Sequence, residues 1–202
     1  MSYTKNSRTL ILGNGVAKMK VIAFYGAPGS GKSTLATACY STMGYLGKNV
    51  GYCWEFIKDP AQRAEYRPTP IDQLWIAGNQ SQLLVNCVKA KYDAVFCDST
   101  PKLCAWFSEY YGKGQFKQLE HCVIEWERQL QEQYNCEIID VFLDIAPEVY
   151  AERHRGSGRW ENFEDALKMH NEMREWLKAR SNNFVSVVET TPNYVLRKVG
   201  LI

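Results

Sequence analysis

The sequence contains no long apolar run. Its hydrophobic stretches are short and interrupted, and Thr9-Leu10-Ile11-Leu12 near the start is too brief for a membrane span or a secretory-signal core. Cys-x-x-Cys pairs are missing too: the seven cysteines (39, 53, 87, 97, 104, 122 and 136) are scattered, so their spacing offers no zinc site. An odd number of cysteines without a secretory signal reads as reduced thiols in a cytosol. Excess charge is small, with 24 Lys and Arg against 22 Asp and Glu, and a net +2 does not by itself imply a nucleic-acid partner. No internal repeat or low-complexity tract occurs. What remains is 202 residues, 46% apolar and 23% charged, which fits one compact globular domain.

Residues 1–18 carry Lys5, Arg8 and Lys18 and no acid, and read as a basic, solvated leader. From Met19 the pattern tightens. Lys20 to Tyr25 is an apolar run ending in a glycine-rich turn, the mark of a buried strand, and Lys32 to Leu46 reads as a helix. Further strands are expected at Asn49 to Phe56, Ala94 to Cys97, Ile138 to Ile145 and Phe184 to Val188. Helices are expected at Ile71 to Val88, Pro101 to Tyr111, around Leu119 to Leu130, and Phe163 to Ala179. Asp59 to Pro70, with three prolines, reads as a loop, and the charged, glycine-containing residues 147–161 as a short lid. Strands alternating with helices imply an α/β fold, a parallel sheet with helices on both faces.

Gly26-Ala27-Pro28-Gly29-Ser30-Gly31-Lys32-Ser33 satisfies G-x-x-x-x-G-K-[ST], and it falls between an apolar strand and a helix, where that motif must fall. The glycines let backbone N–H groups turn inward on phosphate oxygens, and the helix start, through Ser33 and Thr34, adds its positive dipole end. Lys32 bridges β- and γ-phosphate charge, and the Ser33 hydroxyl completes a Mg²⁺ shell. The expected ligands are therefore ATP and Mg²⁺. A switch GTPase would need an Asn-Lys-x-Asp guanine motif, which is absent. A kinase and a P-loop ATPase without a small-molecule acceptor remain.

Three features favour the kinase. Glu55, at the end of the second expected strand, faces the cradle and suits proton abstraction from an acceptor hydroxyl. Asp98, ending Ala94-Val95-Phe96-Cys97, suits Mg²⁺, with helix N-capping as its alternative role. Arg153, Arg155 and Arg159, on a segment hinged by Gly156 and Gly158, suit closure over the transferring phosphoryl group. His170 falls on an apolar helix face and reads as a core or boundary residue. The tryptophans at 54, 75, 106, 126 and 176 read as mostly core, with Trp54 and Trp75 as possible borders of a base-stacking pocket. Gln80 stands between a base-reading and a structural role.

With these residues collected, the chain resembles the P-loop nucleoside and nucleotide kinases, and is most similar to small kinase-like ATP-binding proteins of bacteriophages. It is similar to nicotinamide riboside kinases over Trp54-Glu55-Phe56 and from Ile76-Ala77-Gly78-Asn79-Gln80 to Asp98-Ser99-Thr100. The phage group is similar again from Gly158-Arg159 to Asp165-Ala166. Deoxynucleoside kinases share a looser plan but carry Asp-Arg-Ser where this chain has Asp98-Ser99-Thr100. The resemblance covers roughly residues 19–190 and implies an ATP-dependent kinase acting on a nucleoside-type hydroxyl, in the host cytoplasm if phage-encoded; the kinase domain is expected over residues 19–202, and the short apolar runs predict no membrane partner. One branch of phage kinases phosphorylates 5-hydroxymethyl-deoxyuridine within DNA, so DNA carrying a hydroxymethylated pyrimidine is the alternative acceptor.

Overall fold

The computed structural model describes residues 18–58, 68–114, 116–155 and 162–202. Most of the expected leader, residues 59–67 of the loop expected over Asp59 to Pro70, and Gly156, Gly158 and Arg159 lie outside these residues. The elements run β1 (Met19–Tyr25), α1 (Lys32–Tyr45), β2 (Val50–Cys53), α2 (Asp72–Lys89), β3 (Ala94–Cys97), α3 (Pro101–Gly112), α4 (Lys117–Tyr134), β4 (Cys136–Leu143), α5 (Pro147–His154), α6 (Phe163–Arg180), β5 (Phe184–Val187) and α7 (Pro192–Lys198).

The five strands form one sheet in the order β2-β3-β1-β4-β5, and every pairing is parallel. The expected α/β fold is what forms. Val21 to Tyr25 and Ala94 to Cys97 are fully buried, because helices cover both faces of a parallel sheet. Each such Val, Ile or Phe contributes about 1.5–3 kcal/mol by leaving water. The chain leaves β1 toward β3 and β2 on one side and toward β4 and β5 on the other. That reversal opens a crevice at the carboxyl end of β1, and the glycine-rich turn follows there.

Local chemistry sets the helix starts around the crevice. Thr100 caps α3 by accepting from the Lys102 N–H at 3.3 Å, with Pro101 in the first turn. The capping role considered for Asp98 therefore falls to Thr100. Asn162 caps α6, which carries Glu164 and Asp165 in its first turn and Lys178 and Arg180 in its last, in line with the helix dipole.

One expected bound is corrected, and two other readings gain detail. β2 ends at Cys53, so Glu55 lies two residues past the strand, in a turn closed by the Lys58 N–H donating to the Glu55 carbonyl at 3.2 Å. Within the expected lid, residues 147–154 form helix α5, which Pro147 starts. Of the two alternatives weighed for Trp54 and Trp75, burial in the core is not the one that forms: they are 53% and 41% exposed, whereas Trp106 and Trp176 are buried as expected.

Candidate active site

Gly26 and Gly31 shape the cradle for separate reasons. A side chain on Gly26 (φ 152°) would collide with Ser30, its Cβ falling 2.5 Å from the Ser30 Oγ. Gly31 sits at φ 94° against the Arg153 guanidinium. Ser30 N–H donates to the Ala27 carbonyl at 3.0 Å and folds Ala27, Pro28, Gly29 and Ser30 into a tight turn. No side chain caps α1 and no acid occupies its first turn, so the N–H groups around Lys32, Ser33 and Thr34 keep their positive end for an anion.

The loop's carbonyls are held from behind. The Tyr150 hydroxyl, fully buried on α5, donates to the Pro28 carbonyl at 2.7 Å, and one turn later Arg153 donates to the Ser30 carbonyl. His170 of α6 packs against the same loop, with Nδ1 3.5 Å from the Ala27 N–H, a long contact. Burial, with the Arg174 charge adding and Asp144 opposing, pushes the His170 pKa down to about 4, so the ring is neutral near pH 7. Pinning the carbonyls outward leaves the opposite peptide edges free to turn inward.

On the other flank, the ends of β2 and β3 are tied by the Asp98 N–H donating to the Cys53 carbonyl at 2.8 Å. That tie sets Glu55 and Asp98 side by side. The Lys58 ammonium lies between them: it donates to Asp98 Oδ2 and to the Ser33 Oγ of the cradle, and stands 3.1 Å from Glu55 Oε2. Burial opposes the Lys58 charge, but Glu55 and Asp98 outweigh it and raise its pKa. The other carboxylate oxygen of the buried Asp98, Oδ1, has no hydrogen-bond partner among the described residues.

These oxygens suit Mg²⁺. A serine hydroxyl and a carboxylate are hard oxygen ligands, and a cationic group already stands among them. Among the described residues no three His, Cys, Asp or Glu side chains form a metal site by themselves. Ser33 and Asp98 would thus hold the ion together with water and nucleotide phosphate, as Mg²⁺ prefers.

Of the residues read from sequence, Ser33, Glu55 and Asp98 converge on one point, and Lys32 stands at the cradle beside them. Arg153 reaches the cradle from its outer side. Arg155, just past α5, is exposed, and Arg159 lies outside the described residues. Gln80 is structural: its Oε1 accepts from the Phe56 N–H at 2.8 Å, and its Nε2 donates to the Trp54 carbonyl at 3.2 Å. It thereby clamps the turn that carries Glu55. Phe56 meets Trp75 edge-on at 5.3 Å, which places exposed aromatic surface next to Glu55.

A buried network missed in the sequence supports the site from below. Tyr25, the last residue of β1, bonds through its hydroxyl to the Thr100 hydroxyl at 2.6 Å, and Thr100 donates to Glu127 at 2.5 Å. Lys102 bridges Glu127 at 2.8 Å and Asp140 at 2.5 Å, and Ser181 donates to Asp140. Burial above all, with Asp140 adding, raises the Glu127 pKa against the pull of Lys102. Ser99, between Asp98 and Thr100, takes φ 78°, a strained value for a side-chain-bearing residue, and this network and Gln80 brace it from both sides.

A family model described as an AAA domain matches residues 21–193. No curated protein matches the chain. None of the helices among the described residues is long and apolar enough to cross a membrane.

Proposed function

The chain belongs to the AAA-domain family, of the P-loop NTPase type, and on that premise we propose that it is an ATP-dependent kinase that transfers the γ-phosphoryl group to a hydroxyl of a nucleoside-type acceptor. The observation that carries this reading is the meeting of Glu55, Asp98 and Ser33 around one cation, with exposed aromatic surface alongside. Two carboxylates at that point divide two tasks. Asp98, buried and next to Ser33, serves the metal side. Glu55 is more open and serves as the base that takes the acceptor proton. Trp54 and Trp75 supply flat apolar surface beside Glu55, which a planar base can use and an attacking water does not need.

In the proposed reaction Lys32 and the α1 N–H groups hold the phosphates and stabilise charge that grows on their oxygens. Ser33 and Asp98 would hold Mg²⁺, which when bound would supply positive charge against the charge that develops on the transferring group. Glu55 accepts the hydroxyl proton as the acceptor oxygen attacks the γ-phosphorus in line, and ADP leaves. Arg153 keeps the cradle's shape through Ser30, while Arg155 and Arg159 are the arginines left to meet the phosphoryl group in transit.

The test is transfer of label from γ-labelled ATP in the presence of free nucleosides, nucleotides, or hydroxymethyl-uracil DNA. Label on a free nucleoside or nucleotide supports the main reading, and label in acid-precipitable DNA supports the DNA-embedded acceptor. Label released only as inorganic phosphate refutes kinase activity and leaves an ATPase.

A further inference from the structure

The cation among Ser33, Asp98 and Glu55 belongs to the chain itself. We propose that Lys58 is a built-in counter-ion that holds the metal-binding oxygens of the cradle when no metal is bound, and that it competes with the divalent cation for them. The proposal concerns the metal-binding side of the site and holds for a kinase and for a hydrolase alike.

The geometry carries it in three steps. First, the Lys58 ammonium contacts both groups that would hold Mg²⁺, the Ser33 hydroxyl and the Asp98 carboxylate, so the two cations share ligand atoms. Each excludes the other from those atoms. Second, the contact is anchored locally: the Lys58 N–H donates to the Glu55 carbonyl, and the ammonium pairs with Glu55 three residues back. A lysine displaced from Asp98 therefore keeps a carboxylate partner. Third, the set is unequally satisfied. One oxygen of Asp98 takes Lys58, and the other, buried, has no hydrogen-bond partner among the described residues. A monovalent point charge cannot fill the demand of that carboxylate, whereas a divalent ion carries the charge to do so.

The consequence is a site that is electrostatically balanced before it is loaded. Without Lys58, Glu55 and Asp98 would stand close together with no counter-charge and would repel each other. With it, the acidic pair keeps its arrangement, and metal binding becomes an exchange of one cation for another. The cost is a weaker apparent metal affinity, because each bound ion must displace the ammonium.

The experiment measures Mn²⁺ binding, by the paramagnetic resonance of free Mn²⁺, to the full nucleotide-free chain in three forms: wild type, Lys58→Met and Lys58→Arg. Removing the competitor should tighten Mn²⁺ binding in Lys58→Met about tenfold, the scale of one charge-assisted hydrogen bond. Lys58→Arg keeps a competing cation and should stay near wild type. A cooperative melt certifies each sample as folded, and Lys58→Gln replaces the Met variant if that one melts without cooperativity. Equal Mn²⁺ affinity in all three forms, including no detectable binding by any, overturns the proposal. Weaker binding in Lys58→Met also overturns it, since Lys58 would then be assisting the metal. Neither result depends on an acceptor, so failure here is distinguishable from failure of the kinase reading.

Discussion

Replacing Lys102 with methionine removes the cation that, among the described residues, pairs with two buried carboxylates. Glu127 and Asp140 are 3% and 1% exposed, and Lys102 lies 2.8 Å from the first and 2.5 Å from the second. Breaking a buried pair by removing one partner costs about 3–5 kcal/mol, because the remaining charge has no compensation. That is a large part of the roughly 5–15 kcal/mol by which domains are stable. At about 2–4 °C per kcal/mol for a chain of this size, the melting midpoint should fall by about 10 °C. The loss should depend on pH. Burial already raises the Glu127 pKa above its ordinary 4.5, and losing Lys102 raises it further. A carboxyl raised in the folded state keeps its proton there while the unfolded chain gives it up. The variant's deficit should therefore be smallest below pH 4.5 and grow as pH rises through the raised folded value. Urea melts of both proteins at acid and at neutral pH measure this. A deficit below about 1 kcal/mol, or one equal at both pH values, would refute the reasoning.

Glu55→Gln should lower turnover about 10²–10⁴-fold while leaving ATP affinity close to wild type, as steady-state kinetics and equilibrium titration will separate. Asp98→Asn should instead shift the Mg²⁺ concentration needed for activity, and identical behaviour of the two variants would mean that the carboxylates do not divide the work. His170, held neutral with a pKa near 4, binds a proton less readily folded than unfolded, so stability should fall as pH drops from about 6.5 toward 4. The slope corresponds to at most about 3 kcal/mol across that window and should vanish in His170→Gln, as melts across the same range will show.

What was legible in the sequence is what is local. The cradle could be read because strand, glycines, Lys32 and Ser33 lie within one short stretch, and the glycines are fixed by φ and by contact with Ser30 and Arg153. Asp98 could be read because four buried residues precede it. Lys58 could not: the groups that define it are Ser33 and Asp98, which only the sheet order brings together, and the sole local sign is the Glu55-x-x-Lys58 spacing. Tyr150 was hidden for the same reason, since its partner is Pro28. Helices α5 and α7 have eight and seven residues, too few for a periodic pattern, although Pro147 and Pro192 mark their starts. For Trp54 and Trp75 the sequence leaves core and pocket border both open, because apolar spacing reports a face and exposure depends on what covers that face. Lys102, Glu127 and Asp140 satisfy one another across α3, α4 and β4, and no single segment carries a trace of that pairing.

On the proposed reading, the γ-phosphoryl group of ATP ends on an acceptor hydroxyl. Phosphorus magnetic resonance of the reaction with a nucleoside-type acceptor and Mg²⁺ tests it most directly, by counting products. A new phosphomonoester signal that grows one for one with ADP, and fails to grow with Lys32→Ala of unchanged melting behaviour, is the predicted result. Inorganic phosphate growing one for one with ADP, with no monoester formed on any nucleoside or hydroxymethyl-uracil DNA supplied, would contradict it.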